Sequence, residues 1–431
     1  MAGEGFTPVR LSDDGRGIAQ AEGKVVFVRG ALPGETVEAE RVAVHRRFDE
    51  AELLAVREAA PERVTPPCAH YGECGGCDLQ HLALGAQRAH KVAVLTEALR
   101  RAKIDPLPTV TGPDGNLPGL AYRRRARFSV HWGRGGRLTL GFREGKGHRI
   151  VGLQRCPILV PALAEVPGQL QGALEGLALG PWLTHVDAVA DEAGTGGWCR
   201  LAFRGRRGEP VPPLEGEDRA RLEGLAHTLA RPVLADLSGT LEAFGGGAPE
   251  FQEGGVTYAP GAFLQANGTV NAALRAAVLG AVGAPTGAPV LDAFAGAGNF
   301  AWALAEAGHE VLAVEGDGRA LQGLKQRAEA AALNLRAQPL DLFSELPLKL
   351  GQFETVVLDP PRAGADHLCK GLAALRKGRR PKRIVYVSCA PPTLARDAAT
   401  LQGAGYALRR AAVFDMFPQT HHVECLAVFE G

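Results

Sequence analysis

Pro289-Val290-Leu291-Asp292-Ala293-Phe294-Ala295-Gly296-Ala297-Gly298-Asn299-Phe300 reads as a buried strand, a glycine-bearing turn and the start of a helix. Its first four residues have the apolar build of a strand, and the alanine- and leucine-rich run from Asn299 to Ala307 has that of a helix. Gly296 and Gly298 lie between them, where a backbone without side chains lets a ligand come close. Glu310-Val311-Leu312-Ala313-Val314-Glu315 supplies the next strand and ends in a carboxylate. A carboxylate about 20 residues beyond such a turn is placed to accept hydrogen bonds from ribose hydroxyls. The turn lacks the G-x-G-x-x-G spacing that seats a pyrophosphate. That favours S-adenosylmethionine, which has ribose and adenine but no phosphate, over a nicotinamide dinucleotide.

Working outward, strands alternate with helices from about Gly261 onward, the pattern of a parallel sheet. Leu340-Asp341-Leu342 ends one candidate strand, where a carboxylate could meet an adenine amino group. Thr355-Val356-Val357-Leu358 ends at Asp359-Pro360-Pro361-Arg362. Arg383-Ile384-Val385-Tyr386-Val387-Ser388 ends at Cys389, and Ala390-Pro391-Pro392-Thr393 stops it. Ligands of open α/β sheets bind where the strands' carboxyl ends meet their loops, so a cysteine there reads as a nucleophile. The alternative, a small buried hydrophobe, suits Cys199, Cys369 and Cys425 better. Glu424 sits in an otherwise apolar strand, Val423 to Phe429, where a carboxylate must be paired, exposed or functional.

Upstream, residues 1–60 read as short strands, at Gly23–Val28, Glu35–Glu40 and Ala51–Val56, with Gly30 to Gly34 as a turn. Such spacing suggests a small barrel. Pro61, Pro66 and Pro67 mark a linker, residues 87–103 have helical periodicity, and residues 120–260 look β-rich. The fold class is therefore multidomain α/β. It comprises an OB-like β-barrel over 1–60, a central β-rich domain over 61–260 (its helix 87–103 free to pack on the next domain) and a Rossmann-like domain over 261–431.

At 431 residues the chain is expected to form two or three domains. It has no long uninterrupted apolar stretch, which argues against a membrane partner, and its amino terminus lacks the build of a secretory signal. A cytoplasmic location is expected. Eight cysteines in a reducing compartment point to metal or catalytic use rather than disulfides. Cys68, Cys74 and Cys77 give C-x5-C-G-G-C, and Cys156 follows far downstream. Zinc sites more often use two close pairs. Three clustered thiols with one distant partner suit a [4Fe–4S] cluster better, and spacing alone leaves both open.

The net charge is only +1, so the distribution of charge matters more than its sum. Arg123, Arg124, Arg125, Arg127, Arg134, Arg137, Arg143, Lys146 and Arg149 crowd one segment, interleaved with Tyr122, Phe128, His131, Trp132 and Phe142. A second cluster, Arg376 to Arg383, precedes the Cys389 strand. Backbone phosphates need such charges and unstacked bases favour such rings. A solvated basic face is an equal reading of either cluster.

Five motifs in order carry a resemblance: Phe263-Leu264-Gln265-Ala266-Asn267, Leu291 to Phe300, Leu358 to Arg362, Val387 to Thr393, and His422-Val423-Glu424. Together they resemble the uracil-C5 RNA methyltransferase family, and within it the iron–sulfur enzymes that act on large-subunit (23S) ribosomal RNA. Gly15 to Ala19 through Gly34-Glu35 looks like a TRAM domain, an OB-like RNA-binding barrel. The resemblance implies that the Cys389 thiolate adds to uracil C6 and that Glu424 removes the C5 proton. It implies that Gln265, Phe294, Glu315 and Asp359, with Asn299 and Asp341, contact S-adenosylmethionine. It favours a [4Fe–4S] cluster on Cys68, Cys74, Cys77 and Cys156. Phe263 is expected either to face extruded bases or to be a core residue. RNA is the expected partner, ribosomal first and transfer RNA as the alternative. A monomer is expected, although the sequence leaves oligomeric state open.

Two positions depart from the family pattern. Ala390-Pro391 stands where Asn-Pro is usual after the nucleophile, which puts the rigidity of that loop in question, and Ala295 stands where a cysteine is common. A cytosine-C5 enzyme would place a cysteine just after the Asp-x-Pro motif, where Pro361 and Arg362 stand. A non-catalytic RNA-binding iron–sulfur protein is the reading from another class.

Overall fold

The structure, a computed structural model, describes residues 3–113, 117–191, 196–205, 209–246, 251–346 and 349–431. Alternation of small apolar and polar residues in the first sixty positions builds one six-stranded sheet. Its strands are Glu4–Phe6, Arg10–Leu11, Gly17–Ala21, Lys24–Arg29, Thr36–Val44 and Phe48–Glu58. Inward-facing Phe6, Ala19, Val26, Val28, Val37, Ala39 and Ala51 form its core. The end strands Glu4–Phe6 and Arg10–Leu11 are not hydrogen-bonded to each other.

The middle of the chain forms a seven-stranded sheet. In spatial order its strands are Ile150–Gly152, Leu138–Arg143, Arg125–Trp132, Leu183–Ala190, Gly197–Phe203, Val233–Leu237 and Thr240–Phe244. Helices Val166–Leu174 and Gly216–Leu229 cover one face, where Phe128, Leu140, Val186, Leu201 and Val233 are buried. On the other face Val189, Trp198 and Leu234 pack into the core of the carboxyl-terminal region. Beside them, Asp187 bridges Arg127 and Arg200 from the two neighbouring strands.

Eight strands make the third sheet: β1 (Val110–Thr111), β2 (Val290–Ala293), β3 (Val311–Glu315), β4 (Leu335–Pro339), β5 (Thr355–Leu358), β6 (Arg383–Ser388), β7 (Ala407–Phe414) and β8 (Glu424–Glu430). Their order is β4-β3-β2-β5-β6-β8-β7-β1. Strands β2 to β6 are mutually parallel, and β8 runs antiparallel between β6 and β7. The helices are α1 (Leu84–Arg101), α2 (Gly268–Val282), α3 (Ala301–Glu306), α4 (Gly318–Ala330), α5 (Asp366–Ala374) and α6 (Pro391–Gly403). One face buries Leu274, Leu304 and Leu324 of α2, α3 and α4. The other buries Leu95, Leu372 and Leu401 of α1, α5 and α6. This is a doubly wound, Rossmann-like sheet whose winding reverses between β2 and β5, the place where such sheets open a crevice.

Part of the stretch 61–260 packs with the carboxyl-terminal region. The helix expected at 87–103 spans Leu84–Arg101, and its Val94, Leu95 and Leu99 belong to the carboxyl-terminal core. Strand β1 pairs in parallel with β7 and extends the third sheet. An apolar helix stripe must be buried somewhere, and here the partner surface is the distant α6–β7 layer, which local pattern does not reveal.

Candidate active site

A cavity of about 1370 Å³ opens over the carboxyl ends of the parallel strands. It is lined by Gln265, Phe294, Asn299, Glu315, Asp359, Cys389 and Glu424, seven of the eight residues expected to bind cofactor or do chemistry. Asp341 is the exception. Strand β4 stops at Pro339, so Asp341 falls in the following turn. There its carboxylate accepts the Phe343 N–H at 3.0 Å and the Ser344 hydroxyl at 2.9 Å. Phe343, not Asp341, lines the cavity.

The turn after β2 is shaped by backbone that only some residues tolerate. Phe294 adopts φ 63°, a left-handed conformation costing a non-glycine residue about 1–3 kcal/mol, and its ring lies 5.5 Å from that of Phe343. Gly298 has φ 100°, and a Cβ there would come within 2.4 Å of Leu324. Gly296 has φ 54° and open space where a Cβ would point. Its N–H donates to Glu315 Oε2 at 3.0 Å, and Glu315 Oε1 accepts the Asp317 N–H at 3.0 Å. Each carboxylate oxygen keeps a second lone pair, enough for ribose hydroxyls. Asn299 precedes α3 rather than lying in it. Its amide exchanges two 3.0 Å hydrogen bonds with Asn271, whose amide also reaches Glu253 at 3.0 Å. Glu253 holds Arg124 at 2.5 Å, and Arg124 holds the Gln265 carbonyl at 3.0 Å.

Cys389 follows β6 directly. Ser388 pairs with Cys425 in the antiparallel β6–β8 ladder, so Cys389 lies opposite Glu424 one step beyond. Side chains of directly opposed residues are about 4.5–5.5 Å apart at Cβ. The loop lacking the usual asparagine is tied in another way. The Ala390 N–H donates to Ser388 Oγ at 3.1 Å, and the Thr393 hydroxyl donates to the Ala390 carbonyl at 3.0 Å. Pro391 then opens α6 at a position where its missing N–H has no partner to lose.

Electrostatics in this wall oppose charge. Burial and the neighbouring Glu424 and Asp359 push the Cys389 thiol up to about 11, against a lowering pull from Arg362. Burial and Asp359 hold the Glu424 carboxyl well above the ordinary range. Burial and Glu315 raise Asp359 to about 7. Asp292, in β2 beneath the turn, is fully buried, and burial with the nearby Asp359 and Glu315 pushes it well up, against a lowering pull from the Ala301 backbone. Arg362 lines the cavity and donates to His422 Nδ1 at 3.2 Å, and burial pushes that imidazole down to about 4. Neither Asp292 nor Arg362 was assigned from sequence. Both stand inside quoted motifs, and only tertiary structure singles them out, Asp292 by its burial and Arg362 by its place in the cavity lining beside His422.

At the mouth, Phe263 is 69% exposed, not a core residue, with the Arg125 guanidinium 5.9 Å from its ring centre. Arg123, Arg127, Arg143 and Arg200 line the same opening. The second basic cluster lies elsewhere. It precedes β6, so the strand's full length, about 20 Å, separates it from Cys389 at the other edge. Arg380 bonds to the Leu375, Ala373 and Ala404 carbonyls, Lys382 pairs with Glu354, and Arg383 pairs with Glu430. That cluster is a structural and solvated face.

The four expected metal-ligand thiols lie within electrostatic reach of one another. Cys77 is pushed up to about 12 by burial with Cys156 and Cys74 contributing, and Cys68 acts on both Cys74 and Cys156. Among the described residues no three His, Cys, Asp or Glu side chains are arranged to hold a single metal ion. Cys199, Cys369 and Cys425 are fully buried. Among the described residues no helix is long and apolar enough to cross a membrane.

Known proteins share this architecture. The family pattern described as tRNA (Uracil-5-)-methyltransferase matches residues 327–430, and that of the TRAM domain matches residues 9–54. A Shewanella sp. (strain ANA-3) protein named 23S rRNA (uracil(1939)-C(5))-methyltransferase RlmD is 36% identical over 448 residues, covering 100% of this chain and 96% of that protein. A Chromohalobacter salexigens protein of the same name is 39% identical over 449 residues, covering 98% and 88%. Among solved structures, Pyrococcus abyssi tRNA (uracil-54, C5)-methyltransferase in complex with S-adenosyl-L-homocysteine has a TM-score of 0.74 at 23% identity, with 100% of both chains covered. The last likeness is one of fold.

Proposed function

The chain belongs to the RNA uracil-C5 methyltransferase family, and on that premise we propose that it methylates C5 of a uridine in 23S ribosomal RNA. The observation that carries the chemistry is that Cys389 and Glu424, the residues adjoining the last β6–β8 ladder pair Ser388–Cys425, both line the cavity that the β2 turn also lines.

Bound S-adenosylmethionine supplies an electrophilic methyl group on a sulfonium. Gln265, Phe294, Asn299, Glu315 and Asp359 would hold it, a reading supported by their common place in the cavity lining, where Phe343 also stands. The Cys389 thiolate adds to uracil C6, and the displaced electron pair moves onto the C4 oxygen as an enolate. The enolate pair returns so that carbon 5 bonds to the methyl group, whose bond to the sulfonium sulfur breaks, leaving S-adenosylhomocysteine. Glu424 accepts the C5 proton, and the C6–S electron pair returns to Cys389, releasing 5-methyluridine. A carboxylate with a raised pKa suits that proton transfer. Arg362 offsets negative charge beside Cys389. The exposed Phe263 and the basic mouth suit an extruded base and its flanking phosphates.

We assign Cys68, Cys74, Cys77 and Cys156 to a [4Fe–4S] cluster. A tetrahedral zinc site would bring its sulfurs to about 3.8 Å from one another, whereas a cubane spaces four thiolates more widely. The support for the cluster reading is the spacing of three close thiols with one distant partner, which electrostatic contact between Cys77 and Cys156 brings to the same place. Methyl transfer is not a redox step, and the cluster's role is to hold the basic mouth, where Gly75 and Gly76 also line the cavity.

The test is covalent trapping with ribosomal RNA carrying 5-fluorouridine, in the presence of S-adenosylmethionine. Fluorine cannot leave as a cation, so a shifted band on a denaturing gel that disappears in Cys389→Ala supports the assignment. A band on transfer RNA alone moves the substrate, and no band on either overturns the mechanism.

A further inference from the structure

Glu424 is the first residue of β8, and the nine residues before it, Asp415 to Val423, link it to β7. That link is held from outside the methyltransferase sheet. Lys91 and Arg88 of α1 bond to Asp415 at 2.7 and 3.1 Å. The Gln87 amide donates to Gln419 Oε1 at 3.0 Å and accepts the Gln419 N–H at 2.8 Å. The N–H groups of Asp78 and Leu79 donate to the Gln419 carbonyl at 3.1 and 3.0 Å.

The last grip is Asp78 on His421. One carboxylate oxygen accepts the His421 N–H at 2.8 Å and the other lies 2.6 Å from His421 Nδ1. Two hydrogen bonds from one carboxylate fix both the backbone and the ring of a residue. The His422 ring is 4.3 Å from that of His421, and His422 Nδ1 takes the hydrogen bond from Arg362. Arg362, His422 and Glu424 all line the cavity, whereas Asp78 and His421 do not. A chain of contacts therefore runs from the residue after Cys77 to the wall that holds the expected base.

We propose that Asp78 is a positioning residue for proton abstraction. By clamping His421 it sets His422, Arg362 and the start of β8, and so places the Glu424 carboxylate against C5 of a uracil held on Cys389. The proposal rests on the uracil-C5 reading. It assigns the cysteine-bearing loop a part in the second half of the reaction, after the thiol has added. Addition at C6 needs Cys389 and a bound base, and loss of the C5 proton needs Glu424 within hydrogen-bond reach. A small displacement of the link should slow the second without the first.

The experiment compares wild type, Asp78→Ala and His421→Ala on two RNAs, with iron per chain measured for each. With 5-fluorouridine RNA, both variants should form the Cys389 adduct to the wild-type extent. With ordinary uridine RNA, both should accumulate an adduct that wild type does not, and kcat should fall at least tenfold with KM for S-adenosylmethionine within twofold of wild type. Asp78→Asn, which keeps an acceptor for the His421 N–H, should recover part of the rate. Wild-type turnover without accumulated adduct in His421→Ala overturns the proposal, as does loss of the fluorouridine adduct in both variants, which would make the clamp a support of the fold. His421→Ala leaves the cysteine loop intact and keeps the test decisive if Asp78→Ala loses iron. A wild-type protein that forms no fluorouridine adduct defeats the uracil-C5 reading itself.

Discussion

Asp359 and Glu424 are neighbours within the cavity wall, and burial together with the Asp359 carboxylate raises the Glu424 pKa well above the ordinary carboxylate range. The same pair raises the Cys389 thiol. The wall thus disfavours negative charge on the expected base and nucleophile alike. That arrangement leads to separable expectations for each group.

Replacing Glu424 by Gln should leave addition intact and stop proton removal. Turnover is expected to fall about 10²–10⁴-fold, the usual worth of a positioned general base, while a covalent RNA adduct persists with ordinary uridine. Gel shift under denaturing conditions beside a steady-state assay checks both. Rapid turnover without adduct would remove Glu424 from the reaction.

Formation of the fluorouridine adduct should accelerate with pH. A thiol near 11 is almost wholly protonated at neutrality, so the rate should rise about tenfold per pH unit between 7 and 9. Arg362 stabilises the thiolate, and Arg362→Gln should slow adduct formation at pH 7.5, since any further rise of the thiol pKa lowers the thiolate fraction in proportion. A pH-independent rate over that range would show that the thiolate is already formed.

Stability should fall as pH rises through neutrality. The folded pKa of Asp359 is raised to about 7 and that of Asp292 is raised as well. A raised carboxylate contributes stability that is complete below its unfolded pKa, near 4, and is lost as pH climbs through the folded value. Asp292→Asn removes one such group. Its melting temperature should gain on wild type between pH 5 and pH 8, by about 2–4 °C for each kcal/mol involved. An unchanged difference would mean that Asp292 is ionised in the folded protein across that window, as it is in the unfolded chain.

Lys91 is wholly buried against Asp415. Lys91→Met strands a buried carboxylate with Arg88 as its remaining ion-pair partner, and a loss of about 3–5 kcal/mol is expected in urea unfolding. A loss below about 1 kcal/mol would show that Arg88 alone satisfies Asp415.

Anaerobically prepared protein should carry four iron and four sulfide per chain, and Cys156→Ser should lose most of both. One zinc per chain would replace the cluster assignment with a tetrahedral site.

By itself, the sequence determined the chemistry's alphabet. The glycine turn from Phe294 to Asn299, the strand-end Asp359 and Cys389, and the switch from β-rich to alternating pattern near Gly261 are local signals, because strand ends and tight turns are written in adjacent residues. The tertiary structure decided which of these meet. Antiparallel insertion of β8 beside β6 brings Glu424 opposite Cys389, and no local pattern states strand order. It left Asp341 out of the cavity lining by ending β4 early, and it set the Arg376–Arg383 cluster at the amino end of β6, opposite Cys389, because a strand separates its two ends by its own length. It also moved α1 and β1 into the carboxyl-terminal core, since a buried helix stripe and a free sheet edge find partners by proximity in space rather than along the chain.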